Sequence, residues 1–218
     1  MAWDEHAERE EARYADALAR MPNEPDSRQK QLVRAAMAAG GAALARLMQG
    51  RSAEAAGWFA RSAERYRESW PDAPPASWGR LIGALKARIL AQDWEGAEAD
   101  ARWALEQDPA AGDSPIGAYA AALARLVLGD DRQAAGLAEI LHTAGESAFP
   151  APVAEAVRGL AEEDARAYAA GCAAVLASFE VREAYLEDIP VADTVIVLEA
   201  LAERRGMATR PSSPLLPG

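Results

Sequence analysis

The 218-residue sequence contains one cysteine, Cys172, two histidines, His6 and His142, and only two lysines, Lys30 and Lys86. A single cysteine permits neither an intrachain disulfide nor a cysteine-rich metal site. Two histidines leave few partners for a nucleophile dyad or a metal cage, so no metal and no cofactor are expected. The basic residues number 23 against 34 acidic ones, giving a net charge of −11. Nucleic acid is therefore not an expected partner, because its affinity comes mainly from basic side chains that neutralise phosphates. Nearly all of those basic residues are Arg, a bias that points to a high-GC bacterial genome. Long hydrophobic runs are also missing: the stretch from Ala118 to Gly129 is interrupted by Arg125, short of the roughly 18 apolar residues a membrane span needs. The first residues turn charged at Asp4 and show no apolar core of a secretory leader. A cytoplasmic protein without membrane contact is the expectation.

What is present speaks for helix. Ala fills about a quarter of the positions, far above ordinary usage, and 50% of the residues are hydrophobic against 26% charged. That balance suits a folded chain, and the length allows a real core without covalent staples. Apolar residues recur at helical spacing between Pro and Gly breakers. They predict helices over Trp3 to Met21, Ser27 to Gln49, Ser52 to Trp70, Ser77 to Gln92, Trp94 to Gln107, Ser114 to Leu128, Asp131 to Thr143, Ala151 to Glu162, Asp164 to Leu186 and Val191 to Arg205. Gly40-Gly41, inside the second of these, costs helix stability and calls for close helix packing as its reason. The fold class is all-α, with nine or ten helices as antiparallel hairpins. Residues 1–206 read as a single helical-repeat domain and 207–218, with Pro211, Pro214 and Pro217, as an extended C-terminal tail.

Several hairpins share a pattern. Asp93-Trp94-Glu95-Gly96-Ala97 is followed by Ala101, Ala104 and Asp108-Pro109, with small residues where two helices would approach and a Pro where the second helix would end. Gly50 to Ala63 and Gly129 to Leu141 repeat it more loosely, with Ala55 and Ala134 as the small residue. This pattern resembles the second half of a tetratricopeptide repeat, and the uneven spacing makes the array irregular. The resemblance implies a protein that binds another protein or peptide.

A second pattern runs from about Phe149 onward. Glu162-Glu163-Asp164 opens a helix, an Ala-rich stretch reaches Tyr185, an apolar helix ends in Arg205-Gly206, and Ser213 to Pro217 forms a short extended tail. These pieces resemble the C-terminal part of the immunity protein 49 family, helical proteins that protect bacteria against polymorphic toxins. That resemblance implies a cytoplasmic protein that neutralises a toxin domain, and an acidic surface would suit a basic toxin.

Chemical constellations are sparse. No Gly-rich phosphate loop follows a strand. Cys172 lies in a run of small residues and reads as a buried hydrophobe. Glu139 and His142 have the spacing of a metal-ligand pair, but no second Glu-x-x-His exists, and His142 suits a helix C-terminus better. The proline loop from Trp70 to Trp78 is longer than a mere connection needs. Trp78, Arg80 and Lys86 are the expected partner-binding residues, since aromatic and Arg side chains carry binding energy at interfaces; the other reading has Trp70 and Trp78 plugging a gap between hairpins. The leading expectation is a non-enzymatic interaction module whose partner is another protein or peptide, with a basic one among the candidates. The alternatives are a helical bundle with a small-ligand or catalytic pocket, and a self-associating structural domain.

Overall fold

The computed structural model describes residues 3–145 and 147–218. It is all-helical: α1 (Trp3–Ala19), α2 (Pro25–Met48), α3 (Ser52–Glu68), α4 (Gly79–Leu90), α5 (Trp94–Glu106), α6 (Pro115–Leu128), α7 (Asp131–Thr143), α8 (Ala151–Ala161), α9 (Ala165–Glu180) and α10 (Asp193–Glu203). A single 3-10 turn, Leu186–Asp188, precedes α10, and no strand occurs among the described residues. No helix is long and apolar enough to cross a membrane among the residues described.

The chain sorts into two compact units. In the first, which holds the residues up to Asp93 together with Glu183–Val191 and Pro214–Gly218, α1 packs on α2, α2 on α3 and α3 on α4. Its core is built from Ala43, Ala55, Phe59, Ala63 and Ala87, with Trp58 and Leu90 at its edge. Small residues dominate because they let helix axes approach. Gly41 shows the limit: a Cβ there would lie 2.9 Å from Ile189 Cδ1 and 3.0 Å from Glu10 Cγ. The second unit holds Trp94–Arg182 and Ala192–Ser213, and in it each helix from α5 to α9 packs on its successor while α10 covers α8 and α9.

One turn recurs along the chain. Gly50, Gln92, Gly129 and Glu163 all have left-handed φ, between 54° and 73°. In each case the next residue's amide bonds back to the carbonyl five positions earlier: Arg51 to Arg46, Asp93 to Arg88, Asp130 to Arg125 and Asp164 to Gly159, at 2.9–3.0 Å. This closes the preceding helix and starts the next one. Five residues past each left-handed position stands a fully buried side chain, Ala55, Ala97, Ala134 and Tyr168. In two of the turns a guanidinium reinforces the closure, Arg88 to the Asp93 carboxylate and Arg125 to Asp130, both at 2.9 Å.

Two helix ends differ from the sequence expectation. Helix α2 begins at Pro25, two residues before the expected Ser27: the Glu24 carboxylate caps it by accepting from the Asp26 and Ser27 amides, and Pro25 takes the first helical position, where its missing N–H costs nothing. Helix α9 stops at Glu180 instead of reaching Leu186. The chain then leaves in an irregular course, and Arg9 donates to the Glu187 carbonyl at 2.6 Å. Ile189, seated against Gly41, is buried. Tertiary contacts with α1 and α2 override helix propensity there.

Candidate functional site

The three residues expected to bind a partner do not form one face. Arg80 is only 9% exposed, and its guanidinium donates to the Ser69 carbonyl and to the Gln29 side-chain oxygen. Gln29 in turn donates to Asp26 at 3.1 Å, which links the start of α2 to the loop after α3. Arg80, expected among the partner-binding residues, is thus engaged inside the first unit. The proline loop needs an anchor for its buried backbone carbonyl, and a planar guanidinium with several donors supplies it. Burial pulls the Arg80 pKa down from its ordinary value. Lys86 lies half-buried on the same helix, turned about 120° from Arg80 by their six-residue separation. Trp78 stacks on Trp70, with ring centroids 6.0 Å apart and planes 30° from parallel. Both indoles are half-buried, while Pro71, Pro74 and Pro75 stand exposed around them.

A concavity lies elsewhere, between the end of α1 and the first turns of α2. It is an open groove of about 520 Å³, and apart from Ala17 and Pro22 all its lining residues are polar or charged. Gln31, part of the lining, donates to the Ala17 carbonyl at 3.1 Å. Four cations line it, Arg13, Arg20, Lys30 and Arg34, and all four are exposed. Arg20 pairs with Asp16 and Lys30 with Asp26, each at 2.7 Å and one helical turn away. Arg34 donates to the neutral amide oxygen of Gln31 at 3.2 Å. Arg13 reaches the buried Glu10 carboxylate at 2.9 Å and also the Glu187 carboxylate. Burial pulls the Arg13 pKa down, but hydrogen bonds and charge from Glu10 and Glu187 outweigh it and leave the value raised. Sequence reading missed this groove. Its only signal is the spacing of cations, Arg13 and Arg20 seven residues apart on and just after α1 and Lys30 and Arg34 four apart on α2, and it becomes visible once α1 and α2 are known to pair.

A third polar cluster sits in the second unit. The Glu199 carboxylate on α10 accepts from the Tyr168 hydroxyl at 2.5 Å, from the Thr209 hydroxyl at 2.8 Å, and from the Thr209 and Arg210 amides at 2.9 and 2.6 Å. The Cys172 thiol lies 3.7 Å from the same carboxylate. Cys172 is buried, and burial pushes its pKa up, which keeps the thiol protonated. Burial also opposes the charge on Glu199, yet the hydrogen bonds prevail and its pKa is lowered. The cluster fastens the first residues after α10 to the helices, and Ser213 adds a bond to Glu180 at 2.8 Å. His142 meets Glu155 of α8 at 3.1 Å, both side chains partly exposed. Among the described residues no three His, Cys, Asp or Glu side chains are grouped as metal ligands. Comparison with protein-family models, with curated proteins and with solved structures found no match to the chain.

Proposed function

We propose that the protein is a non-enzymatic protein-interaction module, an irregular tetratricopeptide-like array of helical hairpins that binds another protein or peptide. The observation that carries this reading is the groove between α1 and α2. Sites for small molecules are concave, enclosed and mostly apolar, whereas this groove is open and lined by exposed polar side chains. An extended polymer with polar side chains suits it better than a compact apolar ligand. The left-handed turns at positions 50, 92, 129 and 163 support the repeat reading: their intervals run 42, 37 and 34 residues, near the period of such arrays.

The specific form proposed is an immunity protein that neutralises a bacterial toxin in the cytoplasm. Support comes from the Glu162-Glu163-Asp164 run between α8 and α9 and the Ser-Pro-Leu-Leu-Pro tail, which carry the resemblance to the immunity protein 49 family. The net charge of −11 would speed encounter with a basic toxin domain. The test is to read the genes beside this one for a toxin-domain protein and to co-express that protein with this chain in bacteria; neighbouring genes without a toxin domain would remove the immunity reading. Restored growth together with a defined complex on size-exclusion chromatography with light scattering is the expected outcome. Continued killing, or restored growth with no complex, would remove the immunity reading.

A further inference from the structure

The lining of the groove between α1 and α2 holds more cations than acids, three of them paired with carboxylates on or beside it, on a chain that is acidic as a whole. Arg13, Arg20, Lys30 and Arg34 face it and Asp16 is the one acid in its lining, on a protein whose net charge is −11. The cations form two short rows. Arg13 and Arg20 are about 10 Å apart along the direction of α1, and Lys30 and Arg34 about 6 Å apart along α2.

One end of these rows already holds a carboxylate. Glu187, in the segment after α9, places its carboxylate on Arg13 while its carbonyl accepts from Arg9. The chain thus docks an acidic stretch of its own on the first cation of the groove. Among the described residues the remaining cations pair with near neighbours in sequence, Asp16, Asp26 and Gln31. Exposed pairs of that kind are individually weak and screened by solvent, so a ligand's carboxylates can compete with them for the same guanidinium and ammonium groups. An arginine presents a planar fork that matches a carboxylate.

We infer that this groove binds an acidic segment of a partner protein, whose carboxylates continue the row of ion pairs that Glu187 begins on Arg13. The inference rests on the interaction reading and names the chemistry of the segment bound. A nucleic acid is disfavoured, because a long polyphosphate would also meet the negative field of the rest of the surface. A peptide with a few acidic side chains confines its charge to the groove.

The experiment uses the full chain and fluorescence anisotropy with three labelled probes: a short peptide of alternating Glu and Gly, the same peptide with Gln for Glu, and a single-stranded oligodeoxythymidine. The Glu peptide is expected to bind at least about tenfold more tightly than either other probe at low salt, and to weaken as salt screens the pairs. The double variant Arg20→Glu/Arg34→Glu should weaken its binding at least about tenfold, with Arg34→Gln intermediate. Arg102→Glu, an exposed cation on α5, should leave binding unchanged. Circular-dichroism melts that coincide with wild type establish that the variants fold. Equal binding of the Gln peptide, tighter binding of the oligonucleotide, or a groove variant that binds like wild type would each overturn the inference. If the Glu peptide fails while a toxin complex forms, the groove assignment falls and the interaction reading stands. If the peptide binds and no toxin complex forms, the immunity reading falls alone.

Discussion

The Tyr168 hydroxyl donates to the Glu199 carboxylate at 2.5 Å and so ties α9 to α10. The same carboxylate receives the amides of Thr209 and Arg210, which makes one acidic side chain the anchor of the chain beyond α10. Glu199→Gln would keep the shape but replace one accepting oxygen with a donor that faces those amides. A loss of about 2 kcal/mol in urea unfolding is expected. Hydrogen exchange at Thr209 and Arg210 should accelerate more than exchange at Ala55, which lies in the first unit.

Acid should release the same anchor. Burial works against the charged form of Glu199, but the four hydrogen bonds dominate and depress its pKa in the folded state. A group with a depressed folded pKa stabilises the protein above its unfolded pKa, near 4.3 for Glu. That contribution is lost as the pH falls below this value and through the folded pKa. Amide protection at Thr209 and Arg210 should therefore fall on acidification below about pH 4, while the Glu199→Gln variant, already unprotected there, shows no such step. An acid step of equal size in the variant would place the titrating group elsewhere.

Helices α8 and α9 cross where neither has room for a methyl group. A Cβ on Gly171 would stand 2.6 Å from the Ala156 nitrogen, and one on Gly159 would stand 2.4 Å from the Tyr168 nitrogen. Backbone cannot swing aside as a flexible side chain can, so Gly171→Ala and Gly159→Ala should each cost about 1–3 kcal/mol through overpacking, against the roughly 1 kcal/mol that Ala gains in helix propensity. Gly57 and Gly136, exposed on α3 and α7, have nothing within 4 Å of a built Cβ. Their Ala variants should stabilise by about 0.5–1 kcal/mol. Thermal melts of all four variants check the contrast in sign.

Arg80 acts in folding before any role in binding. Arg80→Ala would strand the Gln29 oxygen and the Ser69 carbonyl inside the first unit, and each unsatisfied buried group costs about 1–3 kcal/mol. Arg80→Lys retains the charge but not the fork, so it should recover only part of the loss. Denaturant midpoints separate the two variants, and the fluorescence of the Trp70–Trp78 pair reports whether the loop loosens.

How far the sequence reached can be seen at particular residues. Breakers and left-handed turn positions such as Gly50 and Gly129 set the helix ends within a few residues, and the buried alanines fell at the small-residue positions of the repeat pattern. The end of α9 was not legible, since no Pro or Gly occurs between Val181 and Ile189. There the helix yields to a contact between Arg9 and Glu187, 178 residues apart. The burial of Arg80 likewise depends on Gln29, 51 residues away. The groove cations are separated along two helices, so only the pairing of α1 with α2 makes them a site.

The repeated turn offers a reciprocal test. Gly129 and Gln92 occupy equivalent left-handed positions, with φ of 72° and 56°, and each is followed by an Asp whose carboxylate accepts from an Arg of the preceding helix. An L-residue with a Cβ is disfavoured in that conformation by about 1–2 kcal/mol, whereas glycine is not. Gln92→Gly should therefore raise stability, by about 0.5–1 kcal/mol once the added freedom of the unfolded chain is counted, and Gly129→Gln should lower it by a similar or larger amount. Asp93→Ala and Asp130→Ala remove only partly exposed ion pairs and should cost about 0–1 kcal/mol each. Urea titrations of the four variants would show whether backbone conformation outweighs the ion pair in setting these turns. A larger loss for the Asp variants than for Gly129→Gln would reverse that ranking.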